Sequence, residues 1–213
     1  MIKRETIQEL KDNLDAVFHA YGNTEENLRK DKGDIPWGEI PDSDALKTYN
    51  HLEYRLANIT RQAFVTMTLS WLEMAMDVIG EVYIPDYMTK VEYKDSEKKR
   101  KGSWFKKRCA VFRKYCNAFK GKTENEHYQF IENVRIVRNC VVHAGGRVEK
   151  ADSPNQVDKA VKWIWEKAQE GNFKYAEILS GLIYLREDLL PEVVIVSMKI
   201  VEHIWQHAEN ESR

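Results

Sequence analysis

The residues with the clearest capacity for chemistry are Arg138, Asn139 and His143, which lie just before Gly145-Gly146. A guanidinium can bind a phosphate through two parallel hydrogen bonds, and a nearby imidazole can donate or accept a proton. The pair therefore suits cleavage of RNA through the ribose 2′-hydroxyl, with His143 as acid or base and Arg138 stabilising the charged phosphorane. This chemistry uses no metal ligand, so we expect neither a metal site nor a cofactor.

These residues are predicted to lie on a helix that ends at Gly145-Gly146, where a glycine can take the left-handed conformation. At about 100° per residue, one buried seam is formed by Phe130, Val134, Val137 and Val141. Asn139 and His143 are one turn apart on nearly the opposite face, and Glu132 and Arg135 share that polar side. Polar helix faces are common, so the spacing alone leaves a solvated surface as the alternative interpretation.

The sequence Arg-Asn-Cys-Val-Val-His at 138–143 resembles the motif of the HEPN superfamily, in which an Arg, often followed by Asn, precedes a His near the end of a helix. The resemblance implies an all-α bundle and a metal-independent endoribonuclease in which two copies of the motif converge in a homodimer. It also implies that Arg138 and His143 are catalytic and that Asn139 orients them. Many members have Asn where this chain has Ala144, so a contribution from that residue is missing here.

The same resemblance implies a biological setting and leaves alternatives open. Members of the superfamily are common in toxin–antitoxin and antiphage-defence systems, so we expect RNA as the substrate and an antitoxin protein as a candidate partner. Some members are inactive, which leaves a catalytically silent protein that binds a nucleotide, RNA or a partner protein as the alternative function. A purely structural helical protein, in which the motif is accidental, is the third interpretation.

A strongly basic segment, 94–122, directly precedes the motif residues. It contains twelve Lys or Arg against two Asp or Glu, a balance of +10 in a chain whose net charge is −1. Such a segment can hold an RNA backbone, since phosphate contacts depend on charge and not on base sequence. The residues predicted to contact RNA are Lys98, Lys99, Arg100, Lys101, Lys106, Lys107, Arg108 and Arg135. The alternatives are a solvated helix face and a docking surface for an acidic antitoxin.

Composition and cysteine usage exclude several classes of protein. Apolar residues make up 43% of the 213 residues and charged residues 31%, as in a soluble globular protein. The three cysteines form no CxxC pair, which argues against a zinc site or a disulfide scaffold, and Cys140 is expected to be a packing residue. His203 and His207 are four residues apart but lack further ligands for a metal. We find no run of about 18 apolar residues and no signal peptide, so we expect a cytoplasmic protein without a membrane partner.

Helical periodicity dominates the chain and predicts an all-α bundle of about five to six helices in a single domain, 1–213. Helices are predicted over 2–21, from Ser43 or Asp44 to about Gly80, from Ser103 to Phe119, from Thr123 to Gly145, from 153–155 to Gly171, and from Pro191 to about His207. Loop elaborations are predicted at 22–42 and 82–102. The dipeptide Ser180-Gly181 between two apolar runs predicts a small β-hairpin within 173–187.

Overall fold

The computed structural model describes residues 4–35, 43–95, 98–99, 102–170 and 175–211, and the structural statements below concern those residues. The α-helices are α1 (Arg4–Gly33), α2 (Ser43–Asn50), α3 (Ala57–Tyr83), α4 (Tyr87–Glu92), α5 (Trp104–Tyr115), α6 (Lys122–Ala144), α7 (Pro154–Glu170) and α8 (Leu189–Glu211). Two antiparallel strand pairs complete the elements: β1 (Tyr93–Asp95) with β2 (Lys98–Lys99), and β3 (Ala176–Leu179) with β4 (Leu182–Leu185). The predicted all-α class with a small β-hairpin is confirmed.

The hairpin β3–β4 forms where the sequence predicts it. Its register runs from Ala176 opposite Leu185 to Leu179 opposite Leu182. Ser180 (φ 51°) and Gly181 (φ 77°) take the left-handed conformation that a tight two-residue hairpin turn requires at both positions. The turn residues therefore fix the register of the hairpin.

Helix α1 is longer than the sequence predicts, because it continues through Gly22 to Gly33. A glycine costs about 1 kcal/mol relative to alanine inside a helix, and burial further along the helix offsets that cost. Glu25 is buried and accepts two hydrogen bonds from the buried Arg61, at 2.7 and 2.8 Å, and Leu28 is buried as well. The loop predicted at 22–42 is therefore wrong for residues 22–33, and 36–42 lie outside the described residues.

The segment 82–102 holds more regular structure than the predicted loop. Helix α3 extends through Tyr83, and a turn with Asp86 at φ 52° leads into α4. Tyr87 and Val91 of α4 are buried one turn apart, so this short helix is held by its apolar face. The loop prediction is wrong for α4, β1 and β2, while 96–97 and 100–101 lie outside the described residues.

Helix α5 begins as expected and ends early. The Ser103 hydroxyl accepts a hydrogen bond from the Lys106 N–H at 3.2 Å, which satisfies one of the first free amides of the helix. The helix stops at Tyr115 instead of Phe119, because Asn117 (φ 56°) and Phe119 (φ 60°) leave the helical conformation. Phe119 is still buried, as its place in the apolar pattern predicts.

Helix α6 begins at Lys122, one residue before the predicted start at Thr123. The carboxylate of Glu124 accepts the backbone N–H of Gly121 at this end of the helix. Thr123 therefore lies within the first turn. The interaction that caps the helix comes from an acidic side chain, which the positive end of the helix dipole favours.

The chain divides into two compact units. The first comprises Met1–Leu14, Thr68–Glu132 and Val193–Arg213, and the second comprises Asp15–Met67 and Asn133–Glu192. Large fully buried side chains of the first unit are Leu14, Leu72, Met76, Ile79, Phe105, Phe112, Phe119 and Ile131. Those of the second unit are Ile164, Ile183, Leu185 and Leu189. The motif residues belong to the second unit, and a single-domain organisation stays a prediction.

One long helix meets the length and composition of a membrane span. Helix α2, a π-helical segment (His51–Leu56) and α3 run without a break from Ser43 to Tyr83, with a mean hydropathy of 1.2 over their most apolar 18 residues. Half of that window is buried, and the core helix of a globular protein meets the same criterion. The helix is therefore weak evidence for a membrane span, and the expected absence of a transmembrane helix and of a membrane partner stays a prediction.

Candidate functional site

Helix α6, which carries the motif residues, ends at a bend formed by two glycines. Gly145 and Gly146 take positive φ values of 60° and 76°, at the place where the sequence predicts the stop. The Gly146 N–H donates to the Cys140 carbonyl at 3.2 Å, which satisfies one of the last free carbonyls of the helix. The Gly146 carbonyl accepts the Ile183 N–H at 3.0 Å. The last turn of α6, which carries His143, is thus tied through its exit to strand β4.

A pocket of about 340 Å³, which we call the motif pocket, opens beside the last turns of α6. Its other walls are a 3-10 turn, Val148–Lys150, and the start of α7. The residues lining it are Arg135, Ile136, Asn139, Cys140, His143, Ala144, Lys150, Ala151, Asp152, Ser153, Gln156 and Val157. Asn139 is half-buried and His143 is exposed. The structure thus brings Asn139 and His143 together in one open pocket.

Arg138, the third predicted catalytic residue, makes contacts of a different kind. Its Nε donates to the hydroxyl of Thr66 on α3 at 3.3 Å, and its Nη1 donates to Oδ1 of Asn139 at 3.1 Å. The guanidinium therefore fixes the orientation of the Asn139 amide. This hydrogen bond joins Arg138 to Asn139, and the role of Asn139 in orienting the catalytic pair stays a prediction.

Both signs of charge line the pocket. Arg135, a predicted RNA contact, and Lys150 supply cations, and Asp152 supplies a carboxylate. A phosphate held by the two cations would lie in the same pocket as His143. Lys150 and Asp152 were not predicted. The signal that could have found them is Gly145-Gly146, since a chain that reverses there returns beside the helix it has left.

Cys140 is a packing residue, as its position on the predicted helix suggests. Burial raises the pKa of its thiol, and the nearby carboxylates of Glu149 and Asp158 raise it further. The Sγ–H donates to the Arg147 carbonyl at 3.6 Å. Because only the thiolate is strongly nucleophilic, this cysteine is poorly suited to attack a substrate.

Glu132 does not share the polar face of the motif, contrary to the sequence prediction. Its side chain is buried, and its carboxylate accepts a hydrogen bond from the Ser103 hydroxyl at 3.2 Å and lies 3.2 Å from Lys106 Nζ. A wheel projection cannot show this, because the partners lie on another helix, α5, or at its cap.

The predicted RNA contacts of the basic segment fall into three groups. Lys98 and Lys99 form β2, while Arg100 and Lys101 lie outside the described residues. Lys106 is exposed and paired with Glu132, and Lys107 is half-buried. These residues belong to the first unit, so their place at the rim of the motif pocket stays a prediction.

The prediction that Arg108 contacts RNA is wrong. It is buried, and it donates to both carboxylate oxygens of Asp77 at 2.7 and 2.6 Å. Glu73 lies 3.1 Å from the same guanidinium. Moving Arg108 away would leave two carboxylates without their buried cation, which costs folding free energy. Arg108 therefore stabilises the core of the first unit and is not placed to contact a phosphate.

The histidines of α8 form a packed cluster. The ring centroids of His203 and His207 are 4.3 Å apart, and His203 Nε2 accepts the backbone N–H of Phe119 at 3.3 Å. Burial lowers the pKa of His203, and so do His207 and His127, while Glu124 opposes the shift. Within the described residues, no group of three or more His, Cys, Asp or Glu is arranged to hold a metal ion.

No family model, curated protein or solved structure matches this chain. The resemblance to the HEPN superfamily therefore rests on the residues at 138–143 and on the helix that carries them.

Proposed function

We propose that this protein is a metal-independent endoribonuclease of the HEPN type. The observation that carries the proposal is the open pocket at the end of α6, which is lined by His143 and Asn139 together with the cations of Arg135 and Lys150. An exposed imidazole in the same pocket as two cations is a combination that suits cleavage through the ribose 2′-hydroxyl. Arg138 supports it by fixing the Asn139 amide at 3.1 Å.

In the proposed reaction the ribose 2′-oxygen attacks the adjacent phosphorus, and the bond from phosphorus to the leaving 5′-oxygen breaks. The products are a 2′,3′-cyclic phosphate and a free 5′-hydroxyl. A base accepts the proton of the 2′-hydroxyl, and an acid protonates the leaving oxygen. His143 takes one of these roles, and Arg135 and Lys150 stabilise the extra negative charge of the phosphorane.

One chain supplies one such histidine, whereas the reaction uses both an acid and a base. The functional unit that we propose is therefore a two-fold homodimer in which both His143 side chains face one groove. Exposed apolar side chains of the second unit support this proposal. Ile59 is 63% exposed and Met67 50% exposed on α3, and Val142, next to His143, is 50% exposed.

The motif resemblance extends the proposal to a cytoplasmic toxin or antiphage-defence effector that acts on RNA and is controlled by an antitoxin protein. In that setting Lys98, Lys99, Arg100, Lys101 and Lys107 of the basic segment would hold the RNA backbone.

The test is cleavage of end-labelled single-stranded RNA by the full chain in excess EDTA. We expect cleavage to persist, the 5′ fragments to end in 2′,3′-cyclic phosphate or its hydrolysis products, and the His143→Ala variant to be inactive. His19→Ala is the matched control, since His19 is exposed on α1 and has no place in the proposed chemistry. Loss of cleavage in EDTA, or cleavage by His143→Ala at the wild-type rate, would contradict the proposal.

A catalytically silent RNA- or nucleotide-binding protein is the second candidate. The observation that favours it is the engagement of Arg138 with Thr66 and Asn139, because this predicted catalytic cation is not among the residues that line the pocket. Under this alternative, wild-type protein binds single-stranded RNA without turnover, and His143→Ala binds it equally well. Filter binding and cleavage assays on the same samples separate the two candidates.

A further inference from the structure

A second and larger pocket lies in the second unit, and the proposed cleavage does not use it. Its volume is about 680 Å³, within the range of small-molecule sites. It is lined by Lys47, Asn50, His51, Tyr54, Arg55, Leu179 and Tyr184, which come from α2, the π-helical segment and the hairpin β3–β4. We call it the π-turn pocket.

The π-helical segment shapes this pocket. In His51–Leu56 the backbone bonds run five residues back, as shown by the Ala57 N–H donating to the Leu52 carbonyl. None of the six residues of the segment is fully buried, and Leu52, Glu53 and Tyr54 are half-buried. A π-helical insertion interrupts the regular stacking of a helix and is frequently found at functional sites. Here it directs three side chains, those of His51, Tyr54 and Arg55, into one pocket.

An ordered aromatic wall forms one side of the π-turn pocket. The rings of Tyr54 and Tyr184 meet edge to face, with centroids 5.3 Å apart. Asn58 holds the strand on both sides of Tyr184: its Nδ2 donates to the Ile183 carbonyl at 3.2 Å, and its Oδ1 accepts the Leu185 N–H at 2.9 Å. The wall is thus positioned before any ligand arrives, which lowers the entropic cost of binding.

Apart from Leu179, the rest of the lining is basic and polar. Lys47, His51 and Arg55 are exposed, and none of the residues described as lining this pocket is acidic. Lys47 pairs with Asp44 at 3.0 Å, but both side chains are largely exposed, and such a pair is weak enough to exchange for a ligand. The nearby Glu53 is already paired, at 2.6 Å to Lys32 and 2.9 Å to Arg186. The pocket therefore presents cations to an anion without a competing carboxylate in its wall.

We propose that the π-turn pocket binds a nucleotide unit. The face of a base would stack on the tyrosine wall, and the phosphate would be held by Arg55 and Lys47 with His51 beside it. Asn50 carries an amide that can pair with a base edge or a ribose hydroxyl. The same chemistry is offered by a free nucleoside monophosphate and by one nucleotide of an RNA strand. The proposal does not depend on cleavage at His143.

Isothermal titration calorimetry of the full chain tests the proposal with three probes: AMP, inorganic phosphate, and a short oligoribonucleotide whose 2′-O-methyl groups prevent cleavage. We expect AMP or the oligonucleotide to bind and inorganic phosphate to bind at least about tenfold more weakly, because it lacks the stacking base. Binding of AMP identifies a free nucleotide as the source, and binding of the oligonucleotide alone identifies a strand.

Two variants and one control locate the site. Arg55→Ala, at an exposed position, should weaken binding about tenfold or more, since it removes a charge-assisted hydrogen bond. Tyr184→Leu keeps an apolar side chain but removes the ring, and should weaken binding about fivefold or more. Lys159→Ala removes an exposed charge on α7 and should change affinity less than about twofold. The proposal is overturned if neither AMP nor the oligonucleotide binds, if phosphate binds as tightly as they do, or if Arg55→Ala and Tyr184→Leu bind like wild type.

Discussion

Two pairs of residues on different helices share one spacing and have opposite surroundings. Asn139–His143 on α6 and His203–His207 on α8 are each four residues apart. His143 is exposed in a pocket with two cations, whereas His203 is half-buried, accepts a backbone N–H and lies against the next histidine ring. The spacing therefore does not decide the role. The role of each imidazole depends on its partners and its exposure. These favour proton transfer at His143 and a structural role at His203.

The strongest test of this contrast compares variants at the two sites. We expect His143→Ala to lower the rate of RNA cleavage by about a hundredfold to ten-thousandfold, because it removes a general acid or base, with little change in thermal stability. His203→Ala should do the reverse: it removes the acceptor of the Phe119 N–H and lowers the melting temperature, while folded protein keeps its cleavage rate. Single-turnover cleavage and thermal melts of both variants measure the two effects. If folded His203→Ala is inactive, the contrast does not hold.

A smaller effect is expected from the residue that supports the motif pocket. Arg138→Ala releases the Asn139 amide and should lower kcat about tenfold to hundredfold with little change in KM, because a misplaced group slows the chemical step. Thr66→Val removes only the hydrogen bond at Nε and should lower kcat a few-fold at most. Arg138→Lys keeps the charge but cannot make both bonds, so it should resemble Arg138→Ala. A rise in KM with unchanged kcat would instead assign Arg138 to direct substrate binding.

Features that were predicted correctly are those that nearby residues decide. The end of α6 at Gly145-Gly146 and the turn at Ser180-Gly181 follow from left-handed backbone conformations within a few residues. The start of α5 at Ser103 is equally local, since the Ser103 hydroxyl accepts the Lys106 N–H three residues later. Each of these signals is complete within one short window of sequence, so no knowledge of the fold is needed to interpret it.

Features that were missed depend on distant partners. Arg108 is adjacent to other basic residues in sequence, and only the fold places Asp77 against it. The interior of α1 crosses Gly22 because Glu25 meets Arg61, 36 residues away. Lys150 reaches the motif pocket only after the chain has reversed. In each case a pairing made by the fold overrides the local pattern.

The pH dependence of stability sharpens the contrast further. Burial lowers the pKa of His203, with His207 and His127 acting in the same direction and Glu124 against it. Between that lowered value and the ordinary value of about 6.5, the unfolded chain binds more protons than the folded one, so stability falls as the pH drops through this window. Urea unfolding at pH 7.5 and pH 5.5 should therefore show a loss in the wild type that is smaller in His203→Gln. An equal loss in both proteins would mean that other groups cause the acid sensitivity.

The smallest effect concerns the basic segment, which lies in the same unit as His203. If it holds RNA, that unit also contributes to the reaction, through affinity and not through chemistry. Removing one phosphate contact to a single strand should lower the slope of log affinity against log salt by about 0.7. Changing Lys98, Lys99, Arg100 and Lys101 together to Ser should thus weaken RNA binding at low salt and flatten its salt dependence. Cleavage of saturating RNA in a single turnover should stay within a few-fold of wild type, because none of the four residues has a role in the proposed chemistry.

The control for this variant is a change of charge elsewhere on the surface. Lys159→Ser and Lys162→Ser, on the exposed face of α7, should leave the salt slope nearly unchanged, because neither residue belongs to the basic segment. Filter binding over a range of salt concentrations measures both slopes. If the quadruple variant keeps wild-type RNA affinity and slope but resists an inhibiting antitoxin, the segment is a protein-docking surface. The unit that holds His203 is then structural and regulatory only, and the chemistry and the RNA affinity both belong to the unit that holds His143.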